Sequence, residues 1–315
     1  MSPIFLVFSD PNRRRVMVAG FVLSLTIFTT APAQIPSLQT PTWTGIWGSS
    51  STDIFMVGEY GAIGHYDGIN VVPMESGTRI WLSAITGTSP TSIYAAGYNG
   101  LILHYDGHRW EKMDSTVSND LNGIWASSPT DVYAVGDRGT IIHYDGSRWK
   151  QVTSGTQNLL FSVWGNSSQD IYAVGGRSTV LHFNGQAWQP VALPLQAHVV
   201  GIWGSSANDI FLVGDEGVIV HFNGRGWIPM NSGVQDVFRA VWGSSGQDIF
   251  IAGESGLILH YNGRSWQKQP VPMTEPLRGI WGAGPTNVFA IGEDGLFLHY
   301  DGQDWKSLSE GLQTH

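Results

Sequence analysis

The sequence contains no cysteine. Disulfides, cysteine-ligated zinc sites and thiol nucleophiles are therefore excluded. Positive charge is also scarce, with 16 Lys and Arg against 25 Asp and Glu and a net charge of −9. Proteins that bind nucleic-acid backbones need clustered Lys and Arg, so we expect no nucleic-acid partner. Helical periodicity is missing as well, because no stretch carries an amphipathic 3.6-residue pattern and the 40 glycines recur throughout the chain.

One long apolar run is present, near the start of the chain. Residues 13–15 are arginines, residues 16–28 are almost wholly apolar, and residues 31–33 form an A-x-A cleavage pattern. This order predicts a signal peptide over residues 1–33 and a protein that is secreted, periplasmic or at the cell surface. A membrane anchor is the alternative, but a span needs ~20 apolar residues, so we expect no stable membrane insertion after cleavage. The arginines leave both the Sec and the twin-arginine export routes open.

A repeat of 39 residues dominates the rest of the chain. Seven histidines keep this step without insertion or deletion: His65, His104, His143, His182, His221, His260 and His299. A tryptophan position keeps the same step, with threonine once: Trp47, Thr86, Trp125, Trp164, Trp203, Trp242 and Trp281. A second tryptophan position follows each histidine, with valine in the first copy: Val71, Trp110, Trp149, Trp188, Trp227, Trp266 and Trp305. A fixed period of this size marks repeat architecture.

Each repeat contains four short strand patterns, which we call A to D in chain order. In the fifth copy, residues 201–204, 209–213 and 218–222 are rich in apolar, β-branched and aromatic residues, and the fourth strand begins near Trp227. Seven such units in residues 43–315 predict an all-β, seven-bladed β-propeller with four antiparallel strands per blade, preceded by a lead-in at residues 34–42. An open β-solenoid is the alternative, although its coils are usually shorter.

The repeat unit W-G-S-S…D-I-Y-A-V-G…G-x-I-x-H-Y-D-G-x-x-W resembles the repeats of large families of secreted bacterial β-propellers. It is also similar to the Asp-box (BNR, sialidase-type) repeats and to the propeller repeats of photosystem II assembly factors. The resemblance covers residues 43–315 and implies the propeller architecture. One departure from the Asp-box is clear, because Gly146 directly follows Asp145 and His143 occupies the position of the box serine. The resemblance therefore supplies no activity.

The repeated histidines and the aspartates that open each B strand are candidates for metal binding or acid–base catalysis. Zinc, however, needs several ligands within about 2.0–2.3 Å of one ion, and equivalent positions on separate blades diverge from the axis. Asp53 has Ser92 and Asn287 as counterparts, which suits hydrogen bonding in a turn but not proton transfer. We therefore interpret all seven histidines as structural, hydrogen-bonded to turn groups of their own blade, and expect no metal, cofactor or catalytic residue.

Two zones differ between the copies: the B–C turns and the D–A connections. Strand alternation places both on the same face of a propeller. The D–A connections contribute Arg79, Trp81, Phe161, Phe238, Arg239 and Arg278. The B–C turns supply our candidate ligand-binding residues: Glu59, Tyr60, Tyr98, Asp137, Arg138, Arg177, Asp215, Glu216, Glu254, Glu293 and Asp294. Aromatic residues and arginines on a loop-built surface suit recognition of a protein or a glycan.

Enzyme signatures are missing, with no G-x-S-x-G, H-E-x-x-H or P-loop motif. We therefore expect a secreted, non-enzymatic binding protein for a protein or glycan ligand, at the variable face or in pockets between blades. One alternative is an extracellular glycoside hydrolase or lyase, which predicts one asymmetric cluster of carboxylates and a base at the central funnel. A structural or assembly role is another. Sugar stacking on the second tryptophan set is a further open interpretation.

Overall fold

The computed structural model describes residues 40–309. Within them the chain forms seven four-stranded antiparallel sheets, each built from four consecutive strands, and no α-helix. The predicted all-β, seven-bladed propeller is confirmed. The predicted signal peptide and residues 34–39 of the lead-in lie outside the described residues.

The first four blades contain sixteen strands. Blade 1 comprises β1 (Trp43–Ser50), β2 (Asp53–Gly58), β3 (Ile63–Tyr66) and β4 (Val71–Met74). Blade 2 comprises β5 (Leu82–Ser89), β6 (Ser92–Gly97), β7 (Ile102–Tyr105) and β8 (Trp110–Met113). Blade 3 comprises β9 (Leu121–Ser128), β10 (Asp131–Gly136), β11 (Ile141–Tyr144) and β12 (Trp149–Val152). Blade 4 comprises β13 (Leu160–Ser167), β14 (Asp170–Gly175), β15 (Thr179–Phe183) and β16 (Trp188–Pro190).

The last three blades repeat the same plan. Blade 5 comprises β17 (Val199–Ser206), β18 (Asp209–Gly214), β19 (Ile219–Phe222) and β20 (Trp227–Met230). Blade 6 comprises β21 (Phe238–Ser245), β22 (Asp248–Gly253), β23 (Ile258–Tyr261) and β24 (Trp266–Gln269). Blade 7 comprises β25 (Leu277–Gly284), β26 (Asn287–Gly292), β27 (Phe297–Tyr300) and β28 (Trp305–Ser307). The A strands are longer than predicted, by two residues at each end in blade 5.

The B strands carry the centre of the core. After its first residue β18 is fully buried, because neighbouring blades cover both of its faces, and its sequence is accordingly a continuous apolar run. The D strand β20 has two exposed residues at its centre and lies at the outer edge. Cross-strand pairing aligns Trp203, Phe211 and His221 in one row across blade 5. The equivalent residues align in the same way in every other blade, so the repeated aromatic and histidine positions share one face of each sheet.

Seven hydrophobic clusters lie between neighbouring blades. Blades 5 and 6, for example, share a cluster that includes Phe211, Val213, Phe238 and Ile249. Blades 7 and 1 share another, which includes Trp43 and Met56 from blade 1. The ring is therefore stabilised by side-chain packing at every junction between blades.

Each A-strand tryptophan packs over a glycine in the A strand of the next blade. A Cβ atom added at any of these six glycines would lie 2.5–2.8 Å from the tryptophan ring. The pairs are Trp47 with Gly87, Trp125 with Gly165, Trp164 with Gly204, Trp203 with Gly243, Trp242 with Gly282, and Trp281 with Gly48. Blade 2 has Thr86 in place of the tryptophan, and the following blade has Ala126 in place of the glycine. The side chain of Thr86 is smaller than tryptophan, and the space it leaves is matched by Ala126, which is larger than glycine.

Blades 7 and 1 meet without exchanging a strand, since all four strands of each blade are consecutive in the chain. Gly295 N donates to Pro41 O (3.0 Å), as Gly217 N donates to Asp236 O (2.6 Å) in the connection between blades 5 and 6. Residues 41 and 42 therefore take the place of a D–A connection. The described lead-in residues 40–42 form no strand.

Candidate binding site

The seven histidines lie beside the A–B turns, opposite the variable face. In five blades the imidazole Nε2 is hydrogen-bonded to the Oδ1 atom of the aspartate that opens strand B, at 2.6–2.7 Å. The ring also stacks on the aromatic residue of strand B, with centroids 4.2–4.5 Å apart in all seven blades. These contacts are what a structural role requires. The role itself stays a prediction.

Serine, aspartate and histidine come together in four blades without forming a nucleophilic triad. Ser205 Oγ donates to Asp209 Oδ2 while His221 is bonded to the other oxygen of the same carboxylate. The equivalent contacts occur in blades 1, 3 and 6. A nucleophilic serine needs its hydroxyl bonded to the imidazole that removes its proton. Here the carboxylate stands between them, so the arrangement holds the A–B turn against strand C.

Two blades lack the carboxylate. His299 Nε2 contacts Asn287 Oδ1 at 3.2 Å, and burial lowers the pKa of this imidazole. In blade 2 neither His104 Nε2 nor the hydroxyl of Thr88 is hydrogen-bonded among residues 40–309, and burial lowers the pKa of His104 too. Ser92 Oγ likewise has no hydrogen-bond partner among the described residues. Blade 2 therefore has the least complete polar network of the seven.

The C–D turns, on the same side as the histidines, follow the predicted turn chemistry. Asp67 Oδ1 accepts the backbone N–H groups of Ile69 and Asn70 at 2.9 and 2.7 Å, and these bonds lower the pKa of Asp67. The other six blades use Asp or Asn at this position in the same way: Asp106, Asp145, Asn184, Asn223, Asn262 and Asp301.

The second tryptophan set is largely core. Trp149 is 2% exposed, and the equivalent residues of blades 2, 4 and 7 are buried as well. Trp227 and Trp266 are half-buried and pack into clusters between blades. The interpretation of this set as a row of sugar-stacking platforms is therefore wrong for the four buried members.

The predicted ligand-binding residues are the first and second residues of the B–C turns, and these two positions differ in backbone conformation and exposure. In each turn the first residue donates its N–H to the carbonyl just before an A strand, as Tyr98 does to Trp81 (3.0 Å). The second residue is left-handed in six turns, with φ of 53–57° in Tyr60, Asn99, Arg138, Arg177, Glu216 and Asp294. These second residues are exposed, Tyr60 by 68%, whereas most first residues are half-buried.

Some of the first residues lie at a central funnel. The A strands of all seven blades line a cavity of about 590 Å³, together with Glu59, Tyr98 and Glu293 from the B–C turns. One wall position, the second residue of each A strand, differs strongly between blades: Thr44, Ser83, Asn122, Phe161, Val200, Arg239 and Arg278. The funnel is therefore asymmetric in a protein whose scaffold is repeated.

One side of the funnel carries a ladder of ion pairs. Arg239 Nε donates to Glu254 Oε1 at 2.9 Å, Arg278 Nη1 donates to the same oxygen at 3.2 Å, and Arg278 Nη2 donates to Glu293 Oε1. All four side chains are about one-third exposed. Arginine forks held by two carboxylates are pre-organised for polar contacts at the cavity wall.

The next side of the funnel is aromatic. The Trp81 and Tyr98 rings stack with centroids 5.5 Å apart and planes 7° apart, and Tyr98 is 39% exposed. Burial, with Asp120 and Asp137 nearby, raises the pKa of the Tyr98 phenol. Asp137 itself accepts a hydrogen bond from Asn122 Nδ2 (3.1 Å), so that turn is fixed to the wall.

Some predicted residues lie away from the funnel. Asp215 lies in a groove with Arg177, Glu216 and His198, 3.9 Å from the His198 Nδ1 atom. Arg138 lines a second groove, beside the D–A connection that follows blade 3. Phe238, expected on the surface, is fully buried in the core. The predicted ligand-binding residues thus lie partly at the mouth of the funnel and partly in separate grooves around it.

Sequence reasoning missed the wall position as a set. Phe161, Arg239 and Arg278 were assigned to connections, but they belong to the A strands β13, β21 and β25. Their shared column in the 39-residue alignment varies strongly, although it lies between a column of large apolar residues and a column of Gly, Ala or Ser. That contrast was the available signal, because a variable position inside a conserved strand is expected to face an open cavity.

Within residues 40–309, no group of three or more His, Asp or Glu side chains is arranged to hold a metal ion. Nor does that part of the chain contain a helix long and apolar enough to cross a membrane.

Comparison with known proteins supports the fold. No family model and no curated protein matches the chain. Among solved structures it is similar to YCF48 bound to D1 peptide, with a TM-score of 0.69 and 16% identity over 84% of this chain and 94% of that one. YCF48 from Cyanidioschyzon merolae gives a TM-score of 0.68 and 15% identity, covering 84% of this chain and 97% of that one. The WD40 repeats of RRP9 give 0.68 and 11%, covering 80% and 88%. At such identities these structures share the propeller fold with this chain.

Proposed function

We propose that this protein is a secreted, non-enzymatic binding protein that takes a segment of a partner polypeptide into its central funnel. Export is inferred from the signal-peptide pattern of residues 1–33. The observation that carries the proposal is the wall position described above, where seven blades of one plan present six different residue types to a single cavity.

The funnel has the composition of a protein-recognition site. It combines a stacked tryptophan and tyrosine, a phenylalanine, and an arginine pair held by glutamates. Tryptophan, tyrosine and arginine are the residues most enriched at binding hot spots. A cavity of about 590 Å³ accommodates a few side chains of a bound segment. The peripheral grooves lie on the same face and would extend the contact.

Hydrolytic chemistry is less well supported. A glycosidase needs two carboxylates free to act as acid and as nucleophile or base. At the funnel, Glu254 and Glu293 are both paired with arginines, and Glu59 is the one wall carboxylate without an ion pair among the described residues. The likeness to a YCF48 structure that contains a bound peptide agrees with polypeptide binding on this fold.

A peptide selection tests the proposal. Random 12-residue peptides displayed on phage are selected against the protein, and the affinities of synthetic hits are measured by fluorescence anisotropy. We expect Val200→Asp at the funnel wall to weaken binding at least about tenfold, because it places an unpaired charge against the ligand. Arg225→Asp, in a C–D turn on the opposite face, is the control and should leave the affinity unchanged.

Two results would contradict the proposal. Selected peptides whose affinity is unaffected by Val200→Asp would place the binding surface elsewhere. Turnover of a glycan on an array, with loss of activity in Glu59→Gln, would favour the hydrolase instead.

A further inference from the structure

The ion-pair ladder of blades 6 and 7 shows how the funnel wall satisfies a glutamate at the start of a B–C turn. Glu254, in the turn of blade 6, accepts one arginine from its own A strand and one from the A strand of blade 7. The two arginines occupy the same wall position, 39 residues apart. A turn glutamate therefore has two neighbouring wall positions that can supply its guanidinium partner.

Blade 1 has the glutamate but neither arginine. Glu59 occupies the turn position of Glu254, and the corresponding wall residues are Thr44 and Ser83. Thr44 Oγ1 is directed to backbone carbonyls of Val57 and Leu82, at 3.1 and 2.5 Å. Within residues 40–309 the Glu59 carboxylate has no ion pair or hydrogen bond, and the buried Ser83 Oγ has no partner.

An aromatic surface lies beside this carboxylate. Trp81 directly precedes β5, Tyr98 begins the B–C turn of blade 2, and both rings line the funnel with Glu59. A guanidinium group stacks well on tryptophan and tyrosine faces, and a nearby carboxylate strengthens its binding through paired hydrogen bonds. Asp120 and Asp137 add negative potential at Tyr98. The nearest basic side chain in sequence, Arg79, is exposed in the connection two residues before Trp81.

We propose that Glu59, Trp81 and Tyr98 form a subsite for an arginine side chain of the bound polypeptide. The incoming guanidinium takes the place that Arg239 and Arg278 occupy in the internal ladder, and it stacks on the aromatic pair of half-buried Trp81 and exposed Tyr98. This proposal rests on the proposed function, because the bound polypeptide is the source of the arginine.

The test uses two small probes of equal shape. N-acetyl-arginine methylamide and its uncharged counterpart N-acetyl-citrulline methylamide are titrated into the ¹⁵N-labelled protein, and the Trp81 indole N–H is followed by NMR after assignment with Trp81→Phe. We expect the arginine probe to shift this resonance and the citrulline probe to bind at least about tenfold more weakly. Glu59→Gln should weaken the arginine probe by a similar factor, about 1.4 kcal/mol. Glu111→Gln, the same chemical change at an exposed position of the D strand β8, is the matched control and should leave the affinity for the arginine probe unchanged.

The outcomes separate this subsite from the wider function. Equal binding of the two probes, or an unchanged affinity in Glu59→Gln, would overturn the subsite even if peptides bind the funnel. If the arginine probe behaves as expected while Val200→Asp leaves every selected peptide unaffected, the subsite stands for a free guanidinium and the proposed function fails.

Discussion

The packing of each A-strand tryptophan over a glycine of the next blade predicts a strong, specific coupling between the two residues. Trp125 and Gly165 form one of three pairs in which the three heavy atoms nearest to a Cβ built on the glycine all belong to the tryptophan, here at 2.6–2.9 Å. Real Cβ atoms are not found this close to other heavy atoms, so Gly165→Ala must displace the indole from its packed position.

The size of the effect follows from overpacking. Forcing an extra methyl group into a packed interior costs about 1–3 kcal/mol. The chain contains the relieved form of the same junction, since Thr86 faces Ala126 between blades 2 and 3. In a Trp125→Thr background, Gly165→Ala should therefore cost nothing, or stabilise by about 0.5 kcal/mol by restricting the unfolded chain. The expected coupling energy between the two substitutions is about 1–3 kcal/mol.

Urea unfolding of wild type, both single variants and the double variant measures this coupling as a double-mutant cycle. Gly284→Ala is the matched control, because a Cβ at Gly284 meets no heavy atom within 4 Å. We expect that control to change the free energy of unfolding by less than about 0.5 kcal/mol. A neutral Gly165→Ala, or equal effects of the substitution with and without Trp125, would refute the steric argument.

Two further predictions concern the histidine networks. Ser92→Asp should give His104 the carboxylate that five other blades possess, and Ser92→Asn is its uncharged control. Because burial lowers the pKa of folded His104, the unfolded chain takes up the proton first, and stability is lost as pH falls below about 6.5. The aspartate variant should therefore lose less thermal stability than wild type or the asparagine variant between pH 8 and pH 5; an equal loss would contradict this. His221→Ala should cost about 1–3 kcal/mol by removing the bond to Asp209 and the stack on Phe211, while peptide affinity at the opposite face stays unchanged. His198→Ala, at an exposed position, is its control, and a stable variant that has lost binding would show that our structural interpretation of His221 is wrong.

The fold was predictable because one 39-residue unit repeats seven times, so every local signal was available in several copies. The Asn-Gly and Asp-Gly turns and the apolar B strands located the strands of each blade. Strand ends were less accurate: β17 begins at Val199 and ends at Ser206, because the pairing with β18 continues through an irregular register at both ends.

The candidate site was harder to predict, because it depends on which side of a strand faces the axis. Glu59 and Tyr60 are adjacent in sequence, but the left-handed backbone at Tyr60 sends the two side chains to different surfaces. The pairing of Arg278 with Glu254 joins residues 24 apart on different blades. Such contacts depend on the radius of the ring and on the tilt of its blades. A periodic sequence predicts that a ring forms, but it does not specify these two quantities.

Trp281 packs over Gly48, so the junction of blades 7 and 1 has the same tryptophan–glycine packing as five of the other six junctions. Among residues 40–309, no strand is shared between these two blades to act as a latch. Mechanical stress is distributed over seven similar interfaces, and any exposed D–A connection is a suitable place for new termini in a circular permutant. A fusion partner can thus be attached at a chosen blade while the order of residues around the funnel is preserved.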